Sequence, residues 1–154
     1  MSKRLSFRGR LNDGDQDTIV LHTISGKVGY QIKKFQIISE TPVTSGVSEH
    51  VVLIWKTKQS SVPAAGDVKI DFDDNRLLAA GTWCGSDNPI YQSTEQVVFD
   101  NEIFNQDIYI THRNADGGDP KDAVNYYIEL ETMDLAIDEQ TVATLKDIRN
   151  TGSQ

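Results

Sequence analysis

The sequence predicts an all-β fold: an antiparallel two-sheet β-sandwich, jelly-roll-like in topology, with one short C-terminal helix. Short segments in which apolar and polar residues alternate recur at intervals of about 8–14 residues, with turn-forming residues between them. About eight or nine such segments are present, and eight strands favour a jelly roll. The chain has 154 residues, which fits a single domain spanning 1–154 that needs neither a metal nor a disulfide to fold.

The most regular alternation lies between Asp107 and Thr132. Successive strand side chains point to opposite faces, so an alternating segment has one apolar face and one polar face. The intervening stretch contains two glycines and one proline, which interrupt both strands. We therefore expect an antiparallel hairpin with a long tip and one buried face. Its apolar positions are Ile108, Ile110, Tyr126, Ile128 and Leu130.

The N-terminal quarter of the chain predicts three strands. The first covers residues 4–11 and has one charged face, and the second covers residues 18–24, which are largely β-branched. In the third, residues 28–39, Tyr30 and Ile32 share one parity whereas Phe35 and Ile37 share the other. A β-bulge near residue 33 explains this change of phase, because a bulge adds one residue to one strand.

The remaining segments predict further strands and the C-terminal helix. We expect strands over residues 50–57, 68–73 and 94–99, while the small residues of 77–84 fit either a strand or a short helix. At the C-terminus Asp138 is a suitable N-cap, and Val142, Leu145 and Ile148 recur at helical spacing. These residues predict a helix over 138–150.

The chain is acidic, with a formal net charge of −8. This charge argues against nucleic-acid binding, which needs a cationic surface, so we expect no sequence-specific nucleic-acid partner. Residues 1–10 are the exception, since they carry Lys3, Arg4, Arg8 and Arg10 and no acidic residue. We interpret them as a basic strand that forms a solvated arm, and the alternative is contact with an acidic neighbour or nucleic acid.

The sequence indicates a protein made in the cytoplasm. Cys84 is the only cysteine, so no internal disulfide can form, as is usual in a reducing compartment. The first ten residues contain no apolar segment of the kind found in secretory signals. The longest apolar runs have about five residues, against the ~20 that a membrane span requires. We therefore expect no membrane partner.

No motif for catalysis or cofactor binding is present. His22, His50 and His112 lie in different predicted strands, and none has the spacing that fixes a transition metal. We expect each to be a strand histidine with a local hydrogen bond. Cys84 has no basic residue beside it, and no nucleophile or phosphate-binding motif occurs. The sequence therefore predicts a protein without enzymatic activity and without a cofactor.

Acidic turns are the best metal candidates. Asp13, Asp15 and Asp17 have the first three spacings of a calcium-binding loop, but Thr18 and Ile24 stand where that loop needs glycine and glutamate. The turns at 71–75 and 116–119 are also acidic. We favour solvated turns over calcium sites at all three places.

Two tyrosines are candidates for an interface. Tyr109 and Tyr127 fall on the polar face of the expected hairpin, where they either form cross-strand pairs or contact a subunit or ligand. We predict an interface that uses these two tyrosines and the N-terminal arginines Arg4, Arg8 and Arg10. Exposed aromatic rings would also suit stacking on a sugar.

Three segments together resemble small virion structural proteins of marine bacteriophages. They are residues 97–111 (VVFDNEIFNQDIYIT), 125–131 (NYYIELE) and 142–150 (VATLKDIRN). The resemblance covers about the last third of the chain. It implies a non-enzymatic β-sandwich subunit of the virion, such as a capsid or decoration protein, present in many symmetric copies. Its implied partners are further copies of itself, as a homo-oligomer, and other viral coat proteins.

Two other functions stay open from the residues alone. The first is a carbohydrate- or receptor-binding module of a phage particle, which would use exposed aromatic rings, with or without calcium. The second is a β-sandwich hydrolase, which requires two carboxylates that converge in a cleft.

Overall fold

A computed structural model describes residues 2–21, 27–42, 47–85, 93–116 and 123–135. Within these ranges the chain forms eight β-strands and one 3-10 helix, Ala65–Asp67. The strands are β1 (Arg4–Leu11), β2 (Gln16–Ile19), β3 (Val28–Ser39), β4 (Ser48–Trp55), β5 (Leu77–Gly85), β6 (Ser93–Val98), β7 (Ile108–Asn114) and β8 (Val124–Asp134). The helix predicted over 138–150 lies outside the described residues.

The strands form two antiparallel sheets that pack face to face, which confirms the predicted two-sheet sandwich. One is a three-stranded sheet of order β1-β8-β3, and the other is a five-stranded sheet of order β2-β7-β4-β5-β6. Pairing is nested: β1 with β8, β2 with β7, and β4 with β5. This nesting is the arrangement of a jelly roll. The innermost remaining pair of this nesting, β3 with β6, is not formed, because β6 pairs with β5 and β3 pairs with β8.

Alternation along each strand sends one set of apolar side chains between the sheets. Burying each such side chain contributes about 1.5–3 kcal/mol, so this shared core is the main source of stability. Its fully enclosed members come from both sheets and include Leu11, Ile32, Val52, Ile54, Phe104, Ile108, Ile110, Val124, Ile128 and Leu130.

The bulge predicted in β3 is confirmed. The register of β3 against β8 shifts between Ile32 and Lys34. As a result Tyr30 and Ile32 on one side of the shift, and Phe35 and Ile37 on the other, are all buried in the same core. The bulge therefore lets one long strand keep its apolar face inward along its whole length.

The hairpin predicted over 107–132 is wrong, although both of its strands exist. β7 pairs with β2 and β4 in the five-stranded sheet, while β8 pairs with β1 and β3 in the other sheet. The connection after Asn114 thus crosses between sheets, a separation of about 10 Å, instead of turning within one sheet. Alternation fits both arrangements, because it reports which face of a strand is buried and not which strand is its neighbour.

Two other predicted strands differ from the structure. Residues 68–73 form no strand, and the alternating Ile70 and Phe72 are exposed in a loop that does not pair with any of the described strands. The second strand is Gln16–Ile19, earlier than the predicted 18–24, of which residues 22–24 are not described. Segment 77–84, which fitted a strand or a helix, lies in β5. The strand predicted over residues 4–11 is confirmed as β1, which pairs along its whole length with β8, so its basic residues lie in the sheet.

Candidate functional site

The histidines His50 of β4 and His112 of β7 form a pair inside the sandwich. Nδ1 of His50 lies 2.8 Å from Nε2 of His112. The side chains are only 1% and 0% exposed. Val52 stands opposite His112 in the register, so the two histidines are diagonal neighbours on the inner face of the five-stranded sheet.

The hydrogen bonds determine which ring nitrogen carries each proton. Nδ1 of His112 lies 3.1 Å from the carbonyl oxygens of both Leu11 and Asn12, so it must donate. Nε2 of His112 is then an acceptor, and Nδ1 of His50 donates to it. Nε2 of His50 is left as a buried acceptor for which the described residues supply no partner.

Both rings are neutral at neutral pH. Burial, reinforced by the neighbouring His112, lowers the pKa of His50 to about 4. Burial also lowers the pKa of His112, although the Leu11 and Asn12 carbonyls and Asp13 oppose it. Because the rings are enclosed, the pair is out of reach of a dissolved substrate. Its role is to tie β4, β7 and the end of β1 together.

Sequence reasoning missed this pair and expected separate local hydrogen bonds. A usable signal was present: His50 shares the parity of Val52 and Ile54, and His112 shares that of Ile110. Each histidine therefore had to face the core. His22 lies outside the described residues. Among the residues that are described, no three of His, Cys, Asp and Glu are grouped so that they could hold a metal ion.

The aspartates proposed as calcium ligands connect elements of the fold. The Asp13 carboxylate accepts from the backbone N–H of Asn114 at 2.8 Å and from Arg113 at 3.4 Å. The Asp17 carboxylate accepts from the Tyr126 hydroxyl at 3.2 Å, which joins the two sheets. Asp15 uses its carbonyl to accept from the backbone N–H of His112 at 3.1 Å. The structure does not bring the three carboxylates to a common point.

The predicted interface arginines line the outer face of the three-stranded sheet around Tyr127. Arg8, Tyr127 and Gln36 stand side by side across the three strands. Arg10 pairs with Glu40 at 2.7 Å and Arg4 approaches Glu129 at 3.6 Å, whereas Arg8 has no acidic partner among the described residues. We call the hollow here the Tyr127 recess. Its volume is about 460 Å³, and it is lined by Arg8, Gly9, Gln36, Ile38, Asn125, Tyr126 and Tyr127.

Two further groups act on the Tyr127 ring. The Lys34 ammonium lies 5.9 Å from the ring centroid. The Tyr127 hydroxyl donates to Glu129 at 3.0 Å, and this hydrogen bond raises the pKa of Tyr127. Arg8 therefore leaves a positive charge in the recess, and Lys34, which faces Glu129 across the strands, adds a second cation at its side.

Tyr109 lies on the opposite side of the molecule, on the outer face of the five-stranded sheet. It stands opposite Trp55 in the register, and burial raises its pKa. The expectation that Tyr109 and Tyr127 share the polar face of one hairpin is thus wrong, because β7 and β8 belong to different sheets. The two tyrosines cannot contribute to a single contact patch on one copy.

A loop formed by residues 56–76 covers part of this second outer face and leaves a cleft. The Trp55 indole N–H donates to Thr111 at 3.1 Å, and the Arg76 guanidinium lies 5.7 Å from the Trp55 ring centroid. Asp74 binds Arg76 through both carboxylate oxygens, and this lowers the pKa of Asp74. The Trp55 cleft has a volume of about 320 Å³, and its polar lining includes Gln59, Asp67, Lys69 and Asp71.

The loop ends in an exposed apolar turn. Phe72 is 56% exposed, and its ring meets Phe99 edge-on with 5.1 Å between centroids. Ile70 is 42% exposed, and the acidic residues Asp71 and Asp73 flank Phe72. We call residues 70–74 the Phe72 turn.

Comparisons with known proteins identify no family for this chain: no family model, no curated protein and no solved structure matches it. Within the ranges that the structure describes, no helix combines the length and apolar character needed to cross a bilayer.

Proposed function

We propose that this protein is a non-enzymatic structural subunit of a bacteriophage virion, which forms or decorates the capsid by binding its own copies and other coat proteins. The observation that carries the proposal is the nested pairing of β1 with β8, β2 with β7 and β4 with β5. The jelly roll is an architecture that viral capsid proteins use, although a fold alone does not define a function. The resemblance of residues 97–111, 125–131 and 142–150 to virion proteins supports the same assignment.

The inside of the sandwich also supports a structural role. Its two buried histidines bind each other and backbone carbonyls, so the polar groups described there hold strands together. The recesses described above open on outer faces, where a neighbouring subunit can reach them. A structural subunit of this kind binds its neighbours through the outer faces of its two sheets.

Mass spectrometry of purified virions tests the proposal. Particles of the phage that encodes this chain are banded in a density gradient, and the chain is quantified against a known coat protein and a phage-encoded replication protein. We expect a copy number within about tenfold of the coat protein and full retention after a second gradient. A chain found in the lysate but lost from the particles, like the replication protein, would reject the virion role.

A carbohydrate-binding module is the second candidate, and the Trp55 cleft favours it. A cleft of about 320 Å³ with an aromatic ring and polar side chains matches the size and lining of small-ligand sites. A glycan array tests this with wild-type protein and the Lys69→Ala/Asp71→Ala variant, each with and without a calcium chelator. Binding that the variant loses supports the module, and an array without binding removes it.

A further inference from the structure

We propose that the Phe72 turn of one copy docks into the Tyr127 recess of a second copy. This contact supplies the self-association that the proposed structural function requires, and it rests on that function. The two surfaces that meet in this contact lie on opposite outer faces of the sandwich.

The Phe72 turn has the features of an anchor. A phenylalanine that is 56% exposed beside an isoleucine that is 42% exposed forms an apolar tip, and buried aromatic residues often dominate the energy of an interface. The turn is already ordered in the single chain. The backbone N–H of Asp73 donates to the Asp71 carboxylate at 2.9 Å, and that of Asp74 donates to the Asp71 carbonyl at 3.2 Å. Binding therefore requires little additional ordering of this segment.

The Tyr127 recess offers a matching apolar surface. Ile38 lies at its side, near the end of the edge strand β3, and is 54% exposed. Tyr127 supplies a ring against which Phe72 can pack, and aromatic pairs contribute beyond the area they bury. The volume of about 460 Å³ leaves room for an aromatic side chain and its neighbours.

The charges of the two surfaces are complementary. Arg8 lines the recess and has no salt-bridge partner among the described residues, while Lys34 stands beside the recess on β3, opposite Glu129 in the register. The turn carries the exposed Asp71 and Asp73. Two copies with a net charge of −8 each repel one another overall. Local complementarity of this kind selects the one orientation in which cations meet anions.

The placement of the surfaces determines the kind of assembly. The recess belongs to the three-stranded sheet, whereas the turn packs on Phe99 beside the outer face of the five-stranded sheet. Contact between two different surfaces is heterologous, so each copy can bind one neighbour on either side. Repetition gives a closed ring or an open stack of subunits.

Paired charge reversals test the contact by sedimentation velocity at low salt. The recess variant is Arg8→Glu/Lys34→Glu, and the turn variant is Asp71→Lys/Asp73→Lys. Wild-type protein should associate as its concentration rises, and each variant alone should bind itself at least about tenfold more weakly. A mixture of the two variants should associate again, because acidic recesses then meet basic turns and wild-type recesses meet wild-type turns.

Control variants separate this contact from general charge effects. Lys3→Glu/Lys27→Glu and Glu95→Lys/Asp116→Lys make the same changes in net charge at exposed sites away from both surfaces, and should associate like wild type. Phe72→Ser should weaken association without any change of charge. Circular dichroism confirms that every variant is folded.

Three results would overturn the contact: a wild-type protein that stays monomeric at high concentration, a recess variant that associates like wild type, or a mixture of folded variants that does not associate. None of these decides the virion role, which the particle measurement tests separately. If the chain is in the particles but its copies do not associate, the contact is wrong and the proposed function stands. If the copies associate by this contact but the particles lack the chain, the contact stands and the proposed virion function is wrong.

Discussion

His50 and His112 are 62 positions apart in the chain, yet they share a hydrogen bond of 2.8 Å in the middle of the protein. His50 is the donor in this bond, because Nδ1 of His112 carries its own proton and donates it to the carbonyls of Leu11 and Asn12. Nε2 of His50 has no partner among the described residues. The two histidines therefore differ in what their removal would leave behind.

Replacing His112 by leucine should cost more stability than replacing His50. His112→Leu removes the bonds to two carbonyls and leaves the Nδ1–H of His50 buried without an acceptor, which predicts a loss of about 2–4 kcal/mol. His50→Leu removes the unpartnered Nε2 and leaves only one acceptor on His112, which predicts a loss of about 1 kcal/mol. Urea unfolding measures both values. Equal losses, or the reverse order, would contradict the proton assignment.

Acid should destabilise the protein in a window defined by His50. Its pKa is 6.5 in the unfolded chain and about 4 in the folded one. As pH falls below 6.5 the unfolded state takes up a proton that the folded state does not, so stability is lost until about pH 4. The expected loss from this group is about 3 kcal/mol. The loss in urea unfolding between pH 7 and pH 4 should be smaller in His50→Leu, and an identical pH profile would argue against a histidine origin.

An added methyl group at Gly81 should interfere with the packing of the two sheets. A Cβ at this position of β5 would lie 2.9 Å from the Phe35 ring and 3.3 Å from Ile37, both on the three-stranded sheet. We expect Gly81→Ala to cost about 1–3 kcal/mol. Gly66→Ala is the matched control, since a Cβ there meets nothing within 4 Å. Thermal unfolding should separate the two variants, and equal melting temperatures would show that the sheets can move apart freely.

Two ion pairs of equal length should differ in their contribution to stability. Lys56 and Glu102 are 2.7 Å apart with the lysine side chain buried, and Arg10 and Glu40 are 2.7 Å apart with both side chains exposed. Glu102→Gln leaves a buried ammonium without its counter-charge, so we expect a loss of about 3 kcal/mol or more. Glu40→Gln should cost at most about 1 kcal/mol. Chemical denaturation at low and high salt checks both, and similar losses would contradict the burial argument.

Local alternation was sufficient to predict most strands and the class of the fold. It was also sufficient to predict the bulge of β3, because the buried positions change parity between Ile32 and Phe35, within four residues of sequence. It failed at residues 68–73, where Ile70 and Phe72 alternate with charged residues but pair with none of the described strands. A pattern of period two shows that a segment could have two different faces, and burial of one face requires a partner.

The sequence by itself determined that this protein is a two-sheet β-sandwich, since that conclusion needs only the faces of individual strands. The tertiary structure alone decided which strands are neighbours. It placed β7 and β8 in different sheets, Tyr109 and Tyr127 on opposite outer faces, and His50 against His112. The physical reason is that periodicity is a local property of the chain, whereas pairing depends on the simultaneous burial of residues far apart in sequence.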